Sequence, residues 1–347
     1  MRNSTERGKE IRAYILANVR VHPKDIAQVA AKHFSTSRQT IAWHLKKLVD
    51  EGLLTATGKT RAREYKPKEI SQTIIEMKVS STLEEDTIWR ERVLPLLEGA
   101  PQNVIEICQY GFTEMFNNVL SHSEAESVTV DVDLTTVDVN MMVVDDGIGI
   151  FKKIQRDFGL NHPRHALLEL SKGKITTDQA HHTGEGIFFT SRMFDWFTIM
   201  SDELFYSRIN QEDDWLIETE EKGSIKGTVV SMNVSLFSKR TTIQVFDNFA
   251  GADYDFSRTH VPIKLARYST EQLVSRSQAK RVLARFERFN EVILDFADVE
   301  MIGRAFADEI FRVYQSENPK IKIVPLDMAP KVKEVIDQVI QARLTTN

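Results

Sequence analysis

A single cysteine, Cys108, in 347 residues excludes an internal disulfide and leaves a cysteine-based metal site without support. No apolar run approaches the roughly 20 residues needed to cross a bilayer. The N-terminal Met-Arg-Asn-Ser-Thr-Glu-Arg lacks an apolar signal region, so the expected compartment is the cytoplasm. No Gly-x-x-x-x-Gly-Lys-Ser/Thr occurs, which excludes a P-loop. Hydrophobic content of 41% and charged content of 27% are ordinary for a soluble protein, and the length suits two or three domains. The net charge of −5 is unevenly spread: residues 1–68 hold 15 Lys+Arg and 6 Asp+Glu, a local +9, and the remainder carries −14. That asymmetry suggests that only the first unit meets a polyanion.

Residues 6–68 read as three helices and a hairpin. Ile11, Tyr14 and Ile15 mark the first helix, and Ile26, Val29 and Ala30 the second. Ser35-Thr36-Ser37 caps a third helix from Arg38 to Leu48. Gly52–Thr55 and Arg63–Tyr65 look like strands around Gly58-Lys59-Thr60-Arg61. This pattern resembles the winged helix-turn-helix domains of bacterial transcription regulators. The resemblance implies that Ser37, Arg38, Gln39, Thr40 and His44 lie near bases, and that Lys46, Lys59, Arg61 and Arg63 lie near phosphates. Ile41, Leu45 and Leu48 are read as core, and Trp43 as packing. The competing reading is a winged helix used only for protein contacts. The local charge favours duplex DNA.

In residues 104–122 apolar side chains recur at helical spacing, and Glu114 and Asn118 stand four apart on one face. A carboxylate can orient or deprotonate a water, and an amide oxygen can coordinate a hard cation such as Mg²⁺. Two later stretches add to that pair. Asp145-Asp146-Gly147-Ile148-Gly149 closes an apolar run, and Gly184-Glu185-Gly186 opens another helix. Strands are expected at Thr73–Val79, Val128–Leu134, Val137–Asp145, Trp196–Met200, Trp215–Glu220 and Gly227–Val234, with a helix at Glu84–Leu97. Helices segregated from a mostly antiparallel sheet make an α+β sandwich.

Glu114-x-x-x-Asn118 with His122, Asp145-x-Gly147-x-Gly149, Gly184-x-Gly186 and Gly227-Thr228 together resemble the motifs of the histidine-kinase-like (GHKL) ATP-binding domain, in order and spacing. The resemblance implies that ATP and Mg²⁺ are the cofactors. Asp145 would accept a hydrogen bond from the adenine amine, which guanine cannot offer in the same place. Gly147 and Gly149 would let the backbone approach the purine, and Gly184 and Gly186 would present N–H groups to phosphate. Thr228 would donate nearby, Asn118 would hold Mg²⁺, and Glu114 would activate the attacking water. One departure is His182, which stands where many relatives have a glycine. Residues 69–100 contain no histidine, so the phosphoacceptor of a sensor kinase is missing.

Residues 151–183 are expected to be a lid. Within them Lys172, Lys174 and His181 are candidates for phosphate contact. His162, His165, His181 and His182 invite a metal reading, which the absence of cysteine and of a clear acidic partner disfavours. Residues 239–347 read as an α/β layer: strands at Thr242–Phe246 and Val261–Ala266, a helix at Ser269–Phe289, a buried strand at Val292–Phe296, a helix at Arg304–Tyr314, a strand at Ile321–Pro325 and a helix at Lys331–Arg343. Asp295-Phe296-Ala297-Asp298-Val299-Glu300-Met301-Ile302 resembles the core strand of STAS domains, the anti-anti-sigma fold. Gly303, Arg304 and Ala305 occupy the turn where such proteins carry a phosphorylatable serine, so phosphorylation there is not expected.

The division expected is a winged helix at 1–68, a GHKL domain at 69–238 and a STAS-like α/β domain at 239–347. The expected function is an ATP-binding, DNA-binding regulator with a nucleotide switch. An anti-sigma-type serine/threonine kinase and a DNA-acting ATPase are the alternatives. Double-stranded DNA is the expected partner at the first unit and a protein at the third, with a homodimer left open.

Overall fold

Three helices, α1 (Ser4–Asn18), α2 (Ile26–His33) and α3 (Arg38–Asp50), precede an antiparallel hairpin of β1 (Leu54–Thr57) and β2 (Glu64–Pro67). The computed structural model describes residues 4–59, 62–175, 184–209, 215–218, 225–250, 256–267 and 272–346. Ser37, in extended backbone, starts α3 by accepting the Thr40 N–H at 3.1 Å. Ile11, Ile15, Val19, Ile26, Ile41, Leu45, Leu48 and Leu54 close a core that belongs to this unit alone. Each such side chain contributes about 1.5–3 kcal/mol by leaving water.

A single residue, Lys68, separates β2 from β3 (Glu69–Lys78), the edge strand of the largest sheet. After β3 come α4 (Glu85–Ile88), continued by a π turn and a 3₁₀ turn to Leu97, then the long helix α5 (Gln102–His122). Next are β4 (Ser127–Thr135), β5 (Asp138–Asp145), α6 (Ile150–Phe158), α7 (His165–Lys172) and α8 (Gly186–Met193). Strands β6 (Trp196–Asp202), β7 (Leu204–Ile209), β8 (Trp215–Glu218) and β9 (Ile225–Ser235) complete an antiparallel sheet in the order β3-β4-β5-β9-β6-β7-β8. Alternation along β4 and β5 buries Val128, Val130, Val132, Val139, Met141 and Val143, which join Phe112, Phe116 and Val119 of α5 in one core. The opposite face is polar, with Asp133 and Asn140 half-buried on it. Arg20 of the N-terminal unit docks there, bonding Asp138 at 2.9 and 2.8 Å and Asp133 at 3.4 Å. The Thr136 hydroxyl adds a bond to the Leu53 carbonyl at 2.6 Å.

The remaining elements are α9 (Thr242–Asp247), β10 (Arg258–Pro262), α10 (Arg276–Leu283), β11 (Glu291–Asp295), α11 (Arg304–Asp308), α12 (Gln315–Glu317), β12 (Lys322–Leu326) and α13 (Pro330–Thr346). Strands β10, β11 and β12 form a parallel sheet in that order. Several expectations need correction. Thr242–Phe246 is a helix, because Thr241 and Gln244 form a capping box that satisfies the first free N–H groups. Its Phe246 ring lies 5.4 Å from Tyr110 and 4.8 Å from Phe189, so α9 packs on α5 and α8. The strand expected through Ala266 ends at Pro262 in a 3₁₀ turn. The helix expected over Ser269–Phe289 is confined to Arg276–Leu283 among the described residues: a Ser275/Gln278 capping box starts it, and Arg285 with φ 66° follows its end. Of the expected lid, residues 151–175 hold α7 and all of α6 after its first residue, and residues 176–183 lie outside the described residues. Strand β7 was not foreseen. Among the described residues no helix is long and apolar enough to cross a membrane.

Candidate functional site

The C-terminal end of β5 and the start of β9 meet at Asp145, which pairs with Thr228. The Asp145 carboxylate is buried, and its Oδ1 accepts the Gly147 N–H at 2.9 Å. Burial pushes its pKa up, and bonds from Gly147 and Thr228 act in the opposite direction. Thr228 Oγ1 also accepts the Ile150 N–H at 3.1 Å, which ties the first turn of α6 to β9. Only glycine suits position 227: φ is +83°, and a Cβ would fall on the Asp145 carbonyl oxygen and within 2.9 Å of its Oδ1. Position 149 has φ +87°, and a Cβ there would stand 2.5 Å from Ser201 Oγ. The loop between them is tied to the end of α5, where Ile148 N–H donates to the Ser123 carbonyl at 2.8 Å.

These residues form one end of a cleft of about 810 Å³, counting space continuous with solvent. The structure brings Asn118, Asp145, Gly149 and Thr228 together in its lining, with His122 beside them. Most of the remaining lining is apolar, built from residues such as Met115, Ile154, Leu170, Ile175 and Ile187. Gly147 is not in the lining, and a Cβ there would fall on the Ser123 carbonyl. Glu114 is not in the lining. Its carboxylate lies against Gly186, the first residue of α8, so closely that a Cβ there would overlap it. Burial, and then the neighbouring Glu185, push the Glu114 pKa up, while a bond with Tyr110 opposes them. Gly184 sits at the same end, where its carbonyl accepts the Ile175 N–H at 3.0 Å.

Two charged residues of the cleft escaped the sequence reading. Lys153 and Asp157 line it from α6 and pair at 2.8 Å. Their four-residue spacing, set among Ile150, Ile154 and Phe158, was the available signal.

The lid lysines are placed elsewhere. Lys172, expected near phosphate, is fully buried and donates to Glu169 at 2.9 Å and to the carbonyls of Arg281 and Ala284 at 3.1 and 2.9 Å. Burial draws its pKa down to about 7. Lys174 donates to the Arg288 carbonyl at 3.2 Å and lies over the rings of Phe256 and Phe289. Both therefore bind the C-terminal part of the chain. His181 and His182 lie outside the described residues. Among those described, no group of three or more His, Cys, Asp or Glu is arranged for a metal ion.

At the N-terminal unit, Ser37, Arg38, Gln39, Thr40, Lys46, Lys59 and Arg63 are exposed, and Arg61 lies outside the described residues. His44 departs from the expectation of base contact: it is buried, with burial drawing its pKa down. The spacing Ile41, His44, Leu45, Leu48 puts it in the apolar stripe of α3. Trp43, read as packing, is instead 53% exposed, with the Lys47 ammonium 4.2 Å from its ring centre.

Residues 278–333 match the family model described as a STAS-like domain of unknown function (DUF4325). The match runs from α10 into α13 and includes β11 and β12. The C-terminal part of the chain thus contains a STAS-like domain. Gly303, Arg304 and Ala305 stand at the start of α11, and none offers a hydroxyl. No curated protein matches the chain.

Proposed function

We propose that the chain is an ATP-binding, DNA-binding regulator whose middle domain is a GHKL-type nucleotide switch. One observation carries the reading: a buried carboxylate, Asp145, stands in a largely apolar cleft, on a turn whose close packing requires glycine at 149 and 227. An adenine ring needs apolar walls and one fixed acceptor for its amine, and the cleft has both. Asn118 would give Mg²⁺ one oxygen ligand, the nucleotide phosphates supplying others. Bound Mg²⁺ would neutralise phosphate charge. Glu114, with its raised pKa and its place at the start of α8, is the proposed base for the attacking water. The exposed cations of α3 and the hairpin, in a unit of charge +9, are the proposed duplex-DNA surface.

The test uses the full chain and a labelled duplex enriched on the protein from random sequences. Anisotropy titrations are run with a non-hydrolysable ATP analogue, with ADP and without nucleotide. The analogue is expected to shift DNA affinity by about 1–3 kcal/mol and ADP by less. Identical curves would sink the switch reading. The second reading, an anti-sigma-type serine/threonine kinase, is favoured by the STAS-like match. It predicts radiolabel from ATP on a partner protein, where a switch ATPase would release only free phosphate.

A further inference from the structure

One side chain of the STAS-like domain, Arg285, touches both helices of a cleft wall. Arg285 follows α10 in a left-handed backbone conformation, φ 66°, and is the N-cap of the next turn. Its guanidinium lies 4.4 Å from the centre of the Phe158 ring, on α6, and pairs with the carboxylate of Glu169, on α7. Phe158 lines the cleft, and so do Ile154 of α6 and Leu170 of α7. One cation from the C-terminal domain therefore grips both helices that build this wall. Glu169 is 4% exposed, so its charge depends on its two partners, Arg285 and Lys172. Lys172 in turn anchors α7 to the end of α10 through the Arg281 and Ala284 carbonyls.

We infer that Arg285 is a positioning residue for the cleft, so that docking of the STAS-like domain and occupancy of the cleft are coupled. The identity of the occupant rests on the ATP reading above, whereas the positioning of α6 and α7 does not. Phe158 and Leu170 contact a ligand only while their helices hold these positions. A ligand in the cleft therefore favours the docked domain, and whatever pulls the domain away weakens the ligand by the same factor.

The experiment compares the full chain with Arg285→Met and Arg285→Lys by hydrogen exchange and by calorimetric titration with ATP. Arg285→Met keeps a long apolar stem but loses the charge. It is expected to raise amide exchange in α6 and α7 while leaving β4 and β5 at wild-type rates. It is also expected to weaken ATP by about tenfold, within the usual range of coupling between sites. Arg285→Lys keeps the pair with Glu169 but loses the planar face over Phe158, so it should fall between the two. Wild-type exchange in α6 would overturn the inference, and so would an equal rise across the whole chain. If Arg285→Met does not fold, Arg285→Lys decides by the same pattern at smaller amplitude. If the wild-type chain binds no ATP, the nucleotide reading falls, and the exchange data alone judge Arg285.

Discussion

Replacing Asp145 by Asn probes the cleft and the fold at once. In the native chain the carboxylate accepts the Gly147 N–H at 2.9 Å and bonds from Thr228, and its remaining lone pairs are open to a ligand. An Asn side chain has a single acceptor oxygen. If that oxygen keeps the Gly147 bond, the amide NH₂ faces the adenine amine, donor against donor. The lost bond to a charged acceptor is worth about 1.5–3 kcal/mol, and an unpaired buried donor costs about 1–3 kcal/mol more. At about 1.4 kcal/mol per decade the sum weakens ATP by roughly 10² or more. Stability should move the other way. Burial raises the folded-state pKa of Asp145 above the ordinary aspartate value. The sign follows: this group's contribution is present below the unfolded pKa and is lost as pH rises through the folded one. At neutral pH the buried charge therefore destabilises the unliganded fold, and Asn removes it. Asp145→Asn is expected to lose ATP and adenosine binding in calorimetry while melting above wild type at pH 7. ATP affinity within about threefold of wild type, or a lower melting point, would refute the reasoning, since the general-acceptor scale alone requires a larger loss.

Ser37→Ala removes the acceptor for the Thr40 N–H at the start of α3, and should cost the N-terminal unit about 1 kcal/mol, read as faster amide exchange in α3 against unchanged β4 and β5. Acid should weaken the STAS-like domain through Asp295. Burial acts to raise its pKa, but the bond with His260 at 3.0 Å and the Ala297 N–H at 2.8 Å leave it net lowered. Its stabilising contribution is therefore present above the unfolded value and is lost as pH falls through the folded one. His260→Ala should move that acid loss to higher pH in denaturation midpoints followed between pH 2 and about 5.

Part of the cleft lining, Asn118, Asp145, Gly149 and Thr228, could be read because its motifs are local in sequence. Glu114 and Asn118 share one helix, and Asp145, Gly147 and Gly149 share one turn. What escaped was long-range. Lys172 and Lys174 were assigned to phosphate because lysine near a phosphate loop is a sound local inference. Their carbonyl partners, on Arg281, Ala284 and Arg288, lie more than a hundred residues away. Thr242–Phe246 was misread because its β-branched and aromatic residues suggest a strand. The capping pair Thr241 and Gln244, three residues apart, carried the opposite message and prevailed. At α10 the capping pair Ser275 and Gln278 instead sets where an expected helix begins. The winged-helix resemblance implies His44 near bases, although its spacing from Ile41 and Leu48 already puts it inside.

The passage from β2 to β3 through Lys68 alone has a mechanical consequence. A module on a long linker tumbles as a small body, and a torque applied to it dissipates in the linker. Here the hairpin strand and the sheet's edge strand are nearly one ribbon, braced by Arg20 on Asp138 and by Thr136 on Leu53. Torsional stiffness thus extends from the hairpin into the β3–β4 ladder, and the N-terminal unit shares the rotational diffusion of the sheet it abuts. A small twist of that sheet becomes an angular displacement of α3, with the hairpin as the lever arm.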